Sequence, residues 1–333
     1  MQTAGTDPRA DKDVEETKAD EDNTCGPGDD ATNDEEKQVD HREQTALGSA
    51  NTVSAVGEKN GIRLLDVGSK SVLGCLYLHA NEDRYVVESN ERFHLFAVID
   101  GHAGSKTADF LVGELFKTLD GVYDNGFDQT KVSKALDELD SRFCALIAPK
   151  RNESGACLLA ILLYVDPSTN IPQKIVLNVG DCRAIVREAP DKRVEQAPTS
   201  SDAKTVALSE DHCVHNAKEK ALALRRGAAI WDGRIAGILQ PFRAFGNIHL
   251  KGPDRKNWVI ATPEIHQSEL LIGRSIFVIA TDGVWGTMNN ERAMKIAVEE
   301  LGANGSAQSS ANAIADAASR QTNDDVTVIV VSV

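Results

Sequence analysis

Two long apolar runs joined by five turn residues set the strongest constraint on this fold. "LLAILLYV" (158–165) and "KIVLNV" (174–179) stand on either side of Asp-Pro-Ser-Thr-Asn (166–170). A link that short closes a hairpin, so the two strands are antiparallel; a parallel pair needs a crossover of about a dozen residues or more. Further β-rich runs occur at "LFAVID" (95–100), "SIFVIATDG" (275–283) and "DDVTVIVVSV" (324–333). Between them lie helical stripes: Leu111, Leu115 and Leu119; Leu136, Leu139 and Phe143; Met294, Ala297, Val298 and Leu301; Ala311, Ile314, Ala315 and Ala318. Strands and helices do not alternate one for one, which argues against a doubly wound parallel sheet. The pattern predicts an α+β chain with two antiparallel sheets packed together and helices on the outer faces. The polar, proline-containing stretch 187–205 reads as a surface insertion.

Residues 1–57 follow different rules. They are rich in Asp, Glu, Thr, Asn and Gly and poor in aromatic and β-branched residues, so they cannot offset their ordering entropy by burial. We read them as a disordered acidic tail, and residues 58–333 as one folded domain. The chain carries a net charge of −15. Residues 1–45 hold fifteen Asp and Glu against five Lys and Arg, so two thirds of that excess lies in the tail. An acidic chain is repelled by nucleic acid and by anionic membrane, which excludes both as nonspecific partners. No apolar run reaches the roughly 20 residues of a membrane span. The six cysteines form no Cys-x-x-Cys pair, so the expected setting is intracellular, cytoplasmic or nuclear, with reduced thiols. Cys144 and Cys157 read as core residues.

Carboxylates recur where buried runs meet loops. Asp100 ends "FAVID", Asp181 follows "IVLNVG", and Asp282 follows "FVIAT". Asp324 and Asp325 open the last strand, and Glu82 and Asp83 precede "RYVV". If these strand ends gather at one edge of a sandwich, the carboxylates repel one another unless a cation lies among them. Hard oxygen donors without a His-Cys cluster favour Mg²⁺ or Mn²⁺ over zinc. Their dispersal along the chain is unlike the single loop of an EF-hand. Glycines after Asp100 and Asp282 permit close backbone approach.

These segments resemble the metal-dependent protein serine/threonine phosphatases of type 2C, in order, over about 250 residues. "ANEDRYVV", "FAVIDGHAG", "NVGDCRAIV", "ALSEDHCVHNAKEKALALRRGAAIWDGRIAGILQPFRAFGN", "FVIATDGVWG" and "NDDVTVIVV" are similar to the family's motifs. The resemblance implies an αββα four-layer sandwich with two Mg²⁺ or Mn²⁺ ions at one edge. It implies that Asp100 bridges both ions and that Gly101 offers its carbonyl to one. Asp282 and Asp324 would hold the first ion, and Glu82 the second with Asp83 in support; Asp181 would belong to a third, weaker site. His102 matches the proposed general acid. The implied activity is hydrolysis of phosphoserine and phosphothreonine in proteins by a metal-activated water, in a monomer whose partners are phosphoproteins. Departures from the family pattern leave an alternative, a pseudophosphatase acting through protein contacts. Leu78 stands where the family has its phosphate-binding Arg, with Arg84, Arg63 and His79 as substitutes. Gly286 replaces a third-site Asp, and Asn247 replaces the Asp of a Gly-Asp pair. Arg243 is expected to be structural.

Overall fold

The computed structural model describes residues 57–74, 80–150, 152–188, 203–252, 257–273 and 275–333. The tail to residue 56, Leu78, His79 and residues 189–202 of the expected insertion lie outside the described residues. In chain order the strands are β1 (Gly57–Lys59), β2 (Ile62–Leu64), β3 (Asp66–Val72), β4 (Arg84–Ser89) and β5 (His94–His102). Next come β6 (Gly155–Asp166), β7 (Ile171–Val179), β8 (Arg183–Glu188), β9 (Lys204–Ala207) and β10 (Ile230–Trp231). The last are β11 (Arg234–Ile235), β12 (Phe245–Gly246), β13 (Glu264–Glu269), β14 (Ser275–Ala280) and β15 (Val326–Ser332). The helices are α1 (Lys106–Val122), α2 (Gln129–Ile147), α3 (Ala217–Arg225), α4 (Asp282–Trp285), α5 (Asn290–Asn304) and α6 (Ala307–Ser319).

One sheet runs β13-β7-β6-β5-β4, with β12 added on β6; the second runs β3-β15-β14-β8-β9. The expected hairpin is β6–β7, antiparallel from Leu158 opposite Val179 to Asp166 opposite Ile171. Alternation along the strands builds the layers, because successive side chains point to opposite faces. On β5, Leu95, Ala97 and Ile99 pack against Leu111, Leu115 and Leu119 of α1 and Leu136 and Leu139 of α2. The intervening Phe96 and Val98 face Phe277 and Ile279 of β14 and Ile329 and Val331 of β15. On the far side, Val278, Val328 and Val330 meet Met294 and Ala297 of α5 and Ile314 and Ala315 of α6. The central strands read as unbroken apolar runs because both their faces are covered. Each fully buried Leu, Ile or Phe contributes about 1.5–3 kcal/mol. The fold is an αββα sandwich, as the sequence pattern and the resemblance led us to expect. The helix starts are fixed locally: the side chains of Asp128, Asn289 and Ser306 accept backbone N–H bonds at the starts of α2, α5 and α6.

Register brings the loop-bound carboxylates to one edge. Asp100 lies opposite Cys157, and Val179 opposite Leu158 carries the chain to Asp181 beside them. In the second sheet, Ala280 pairs with Val328, so Asp282 after β14 and Asp324 before β15 emerge at the same end. Arg84 pairs with Ile99, which sets Glu82 next to the end of β5.

Candidate metal centre

The two Asp-Gly pairs, one at the end of β5 and one opening α4, work by close approach. A Cβ on Gly101 would sit 2.4 Å from the carbonyl oxygen of Glu82, and one on Gly283 would sit 2.0 Å from that of Asp325. Only glycine lets these loops pack so tightly. The neighbouring Asp325 is buried and holds the loop itself: its Oδ1 accepts from Gly74 N at 2.8 Å and its Oδ2 from Glu82 N at 2.7 Å. It is a brace for the strand ends, a role that its position next to Asp324 did not reveal.

Asp100, Asp181 and Asp282 offer oxygen atoms that all lie within 4.8 Å of one another. Burial, then the charges of Asp282, Asp83 and Asp181, push the Asp100 carboxyl well above the ordinary range. Burial, then Asp181 and Asp324, push Asp282 up to about 8. Burial also raises Asp181, against the hydrogen bond it accepts from Cys157 Sγ at 3.3 Å. Burial raises all three carboxyls, and the charges of neighbouring carboxylates add to it. The donors are hard oxygens, so the residues fit Mg²⁺ or Mn²⁺.

The triad lies in a cleft of about 450 Å³ that Glu82, Gly101, His102 and Asp324 also line. Glu82 is turned to the backbone of the Ala103–Gly104 turn, where its Oε1 accepts from Gly104 N at 2.9 Å. Asp83 points the other way. It is buried, and its Oδ2 accepts from Thr281 Oγ1 at 3.0 Å, tying the start of β4 to the end of β14. Asp181, assigned by the resemblance to a third, weaker site, lies beside Asp100 and Asp282. The Nε2 of His102 lies 2.9 Å from Asn247 Oδ1. An amide oxygen only accepts, so that ring nitrogen carries the proton. Burial lowers the His102 pKa, although the bond to Asn247 opposes this.

Several side chains differ from the sequence reading. Cys157 is a core residue as expected, packed with Leu159 and Cys182, but it also reaches the cleft floor and donates to Asp181 Oδ1, because the register sets it opposite Asp100. Arg84 cannot stand in for a phosphate clamp. It is buried, with Nε on Asp109 at 2.8 Å and Nη1 on the carbonyls of Asn81 and Asp83. Arg63 is exposed on β2 and is not on the cleft wall. Gly286 is exposed just after α4. Arg243 is structural as expected: Nε and Nη2 grip Glu219 at 2.9 and 2.5 Å, and Nη1 donates to Thr262 O at 2.9 Å. The reading passed over Arg234, Gln240 and His249, which also line the cleft. The Asp232-Gly233 turn signature before Arg234 was the available signal, since it exposes its flanks.

The sequence profile of the family described as "Protein phosphatase 2C" matches residues 61–327. This chain belongs to the protein phosphatase 2C family. A rice (Oryza sativa subsp. japonica) protein named "Probable protein phosphatase 2C 52" is 30% identical over 261 residues, covering 75% of this chain and 47% of that protein. Another rice relative, "Probable protein phosphatase 2C member 13, mitochondrial", is 32% identical over 265 residues, covering 75% of this chain and 64% of that one. The chain thus spans between about half and two thirds of the length of these relatives. Among solved structures, a phosphatase from a pathogenic strain of Toxoplasma gondii superposes with a TM-score of 0.67 at 20% identity, over 80% of this chain and 92% of that one. A C. elegans sex-determining protein gives 0.65 at 18% identity, over 80% of this chain and 64% of its own length. At these identities the structural likeness shows the shared sandwich of the protein phosphatase 2C fold. Among the described residues, no helix is long and apolar enough to cross a membrane.

Proposed function

We propose that the chain is a protein serine/threonine phosphatase that uses Mg²⁺ or Mn²⁺ at this cleft. The observation that carries the proposal is the convergence of Asp100, Asp181 and Asp282 within 4.8 Å in a member of this family. Asp100, Asp181 and Asp282 would hold the cation set, with Gly101, Glu82 and Asp324 at its margin; Asp83 and Asp325 keep the two sheets' strand ends in place. Bound divalent cations supply Lewis acidity, which acidifies water and neutralises phosphoryl oxygens. The chain's own residues do the rest. The strand ends fix the carboxylates before substrate arrives, and Gly101 and Gly283 let the backbones of Glu82 and Asp325 pack close against them. In this reading His102, whose ring is oriented by the Nε2 bond to Asn247, would donate a proton to the leaving seryl or threonyl oxygen.

Turnover of a phosphothreonine peptide in Mn²⁺ tests the proposal. It should vanish with chelator and return with metal. Asp282→Asn should lower it by roughly 100-fold or more, since even indirect supports of a metal site cost 10- to 100-fold. No metal-dependent turnover in the parent chain would overturn the proposal and leave a binding module.

A further inference from the structure

The cleft is short of positive charge. The described residues that line it include seven carboxylates, among them Glu82, Glu153 and Asp324, and a single Lys or Arg, which is Arg234. A phosphomonoester is a dianion, so cations at the centre neutralise the triad and still leave an acidic wall around the entering substrate. Arg84 is bound up in the fold, and the position where the family has its arginine, Leu78, is apolar.

Arg234 is built into a rigid support while its head is left free to act. Strands β10 and β11 form a tight hairpin around Asp232 and Gly233, both at positive φ (52° and 72°). Alternation on β11 exposes Arg234 and buries the next residue, Ile235. Ile235 is anchored among Leu239, Phe242 and Leu250, and it exchanges backbone hydrogen bonds with Leu239 at 2.8 and 3.1 Å. The guanidinium makes one hydrogen bond within its own segment, Nη1 to Ile238 O at 3.3 Å. Among the described residues no carboxylate lies within ion-pairing distance of the Arg234 guanidinium.

We propose that Arg234 is a substrate-binding residue that engages an anionic oxygen group of the phosphorylated chain, in place of the arginine absent at position 78. That group is either the phosphoryl itself or an acidic side chain next to the phosphorylated residue. The proposal rests on the phosphatase reading of the same cleft. A guanidinium fork suits both groups.

The test uses the full chain with Mn²⁺ and compares the parent with Arg234→Gln and Arg234→Lys. Three substrates are measured: p-nitrophenyl phosphate, a phosphothreonine peptide with neutral neighbours, and one with acidic neighbours. Equilibrium binding of the acidic phosphopeptide is followed in parallel by fluorescence anisotropy. Arg234→Gln should lower kcat/KM by about tenfold or more through KM, the lower end for a charged hydrogen bond. Arg234→Lys should keep part of the activity. A loss on all three substrates assigns the phosphoryl; a loss confined to the acidic peptide assigns the flanking carboxylate. Thermal midpoints should agree across the set, since the side chain is exposed and makes one hydrogen bond. Turnover and binding unchanged in Arg234→Gln would overturn the proposal while leaving the phosphatase reading intact. Binding without turnover in the parent, lost in Arg234→Gln, would overturn that reading and support this one. A parent that neither turns over nor binds the phosphopeptide would overturn both.

Discussion

Glu219 and Asp282 are both carboxylates largely withdrawn from water, yet the protein treats them in opposite ways. Burial pushes Glu219 up, but the hydrogen bonds and charge of Arg243 outweigh it and hold the group below its ordinary value. Glu264, at the start of β13, is held well below the ordinary range by the imidazole of His212, 3.4 Å distant, with Lys218 at 2.9 Å adding to the effect. Asp140 likewise has Lys251 at 2.6 Å. At the cleft, burial acts in the same direction and the neighbouring carboxylates add to it: Asp100 is driven up, and Asp282 is driven up despite its hydrogen bond with Asp100. One region carries its own counter-ions and is complete as folded. The other gathers Asp100, Asp181 and Asp282 with no Lys or Arg ion-paired to them among the described residues, an arrangement that suits the proposed metal. The positions of the acids alone do not separate the two; their partners do.

The complete region should be the costlier to break. Arg243→Met leaves Glu219 buried without its partner, and losing one member of a buried pair costs about 3–5 kcal/mol. Chemical denaturation of the metal-free chain should show a drop of that size; a change below about 1 kcal/mol would mean that Glu219 finds water or protonates without strain. At the cleft the same kind of change should act in reverse. Asp100→Asn with Asp282→Asn removes repulsion, so the metal-free variant should melt no lower than the parent. It should lose the gain that metal gives, about 2.7 kcal/mol at 100 times the dissociation constant. If the double variant still gains stability from Mn²⁺ as the parent does, the cation binds elsewhere.

The two regions also respond to pH with opposite sign. Asp282 titrates near 8 in the fold against an ordinary 3.8. The folded state therefore binds its proton more tightly than the unfolded state, and this contribution is present below about 4 and lost as pH rises toward 8. Glu264 is lowered, so its contribution is present above its ordinary value near 4.5 and is lost progressively as pH falls below that toward its lowered folded value. Melting curves in chelator should therefore decline from mildly acid pH toward pH 8, and Mn²⁺ should raise the midpoint more at pH 8 than at pH 6. An equal rise at both would remove the link between the raised carboxyls and the metal.

Much of this was legible in the sequence. The hairpin turn at 166–170 fixed antiparallel pairing, the leucine spacing placed α1 and α2, and apolar runs ending in Asp located one edge. The side-chain directions at that edge were not legible. Glu82 and Asp83 are neighbours in the chain, yet one lines the cleft and the other is buried on Thr281. Asp324 and Asp325 divide in the same way, one exposed and the other clamping Gly74 and Glu82. That the core residue Cys157 also reaches the cleft beside Asp181 was not legible until register set it opposite Asp100. Arg84 read as a free cation because its partner, Asp109, is 25 residues away on α1. Local spacing carries periodicity; it does not carry which side of a loop turns inward.

A smaller effect should follow at His102. Asn247 gives its imidazole a neutral acceptor, and Asn247→Asp would supply a charged one. An adjacent opposite charge raises a histidine pKa by one unit or more. The His102-dependent limb of the pH–rate profile should move up by about one unit; an unmoved limb would show that another group sets it.

The most direct measurement is calorimetric titration of Mn²⁺ into the metal-free chain at pH 7, in two buffers of different ionisation heat. Because Asp282 holds its proton up to about 8, binding at the triad must release protons, and the observed heat should differ between the buffers. Asp100→Asn with Asp282→Asn should abolish both the binding and the buffer-dependent heat. Binding that is independent of buffer and persists in the double variant would contradict the account.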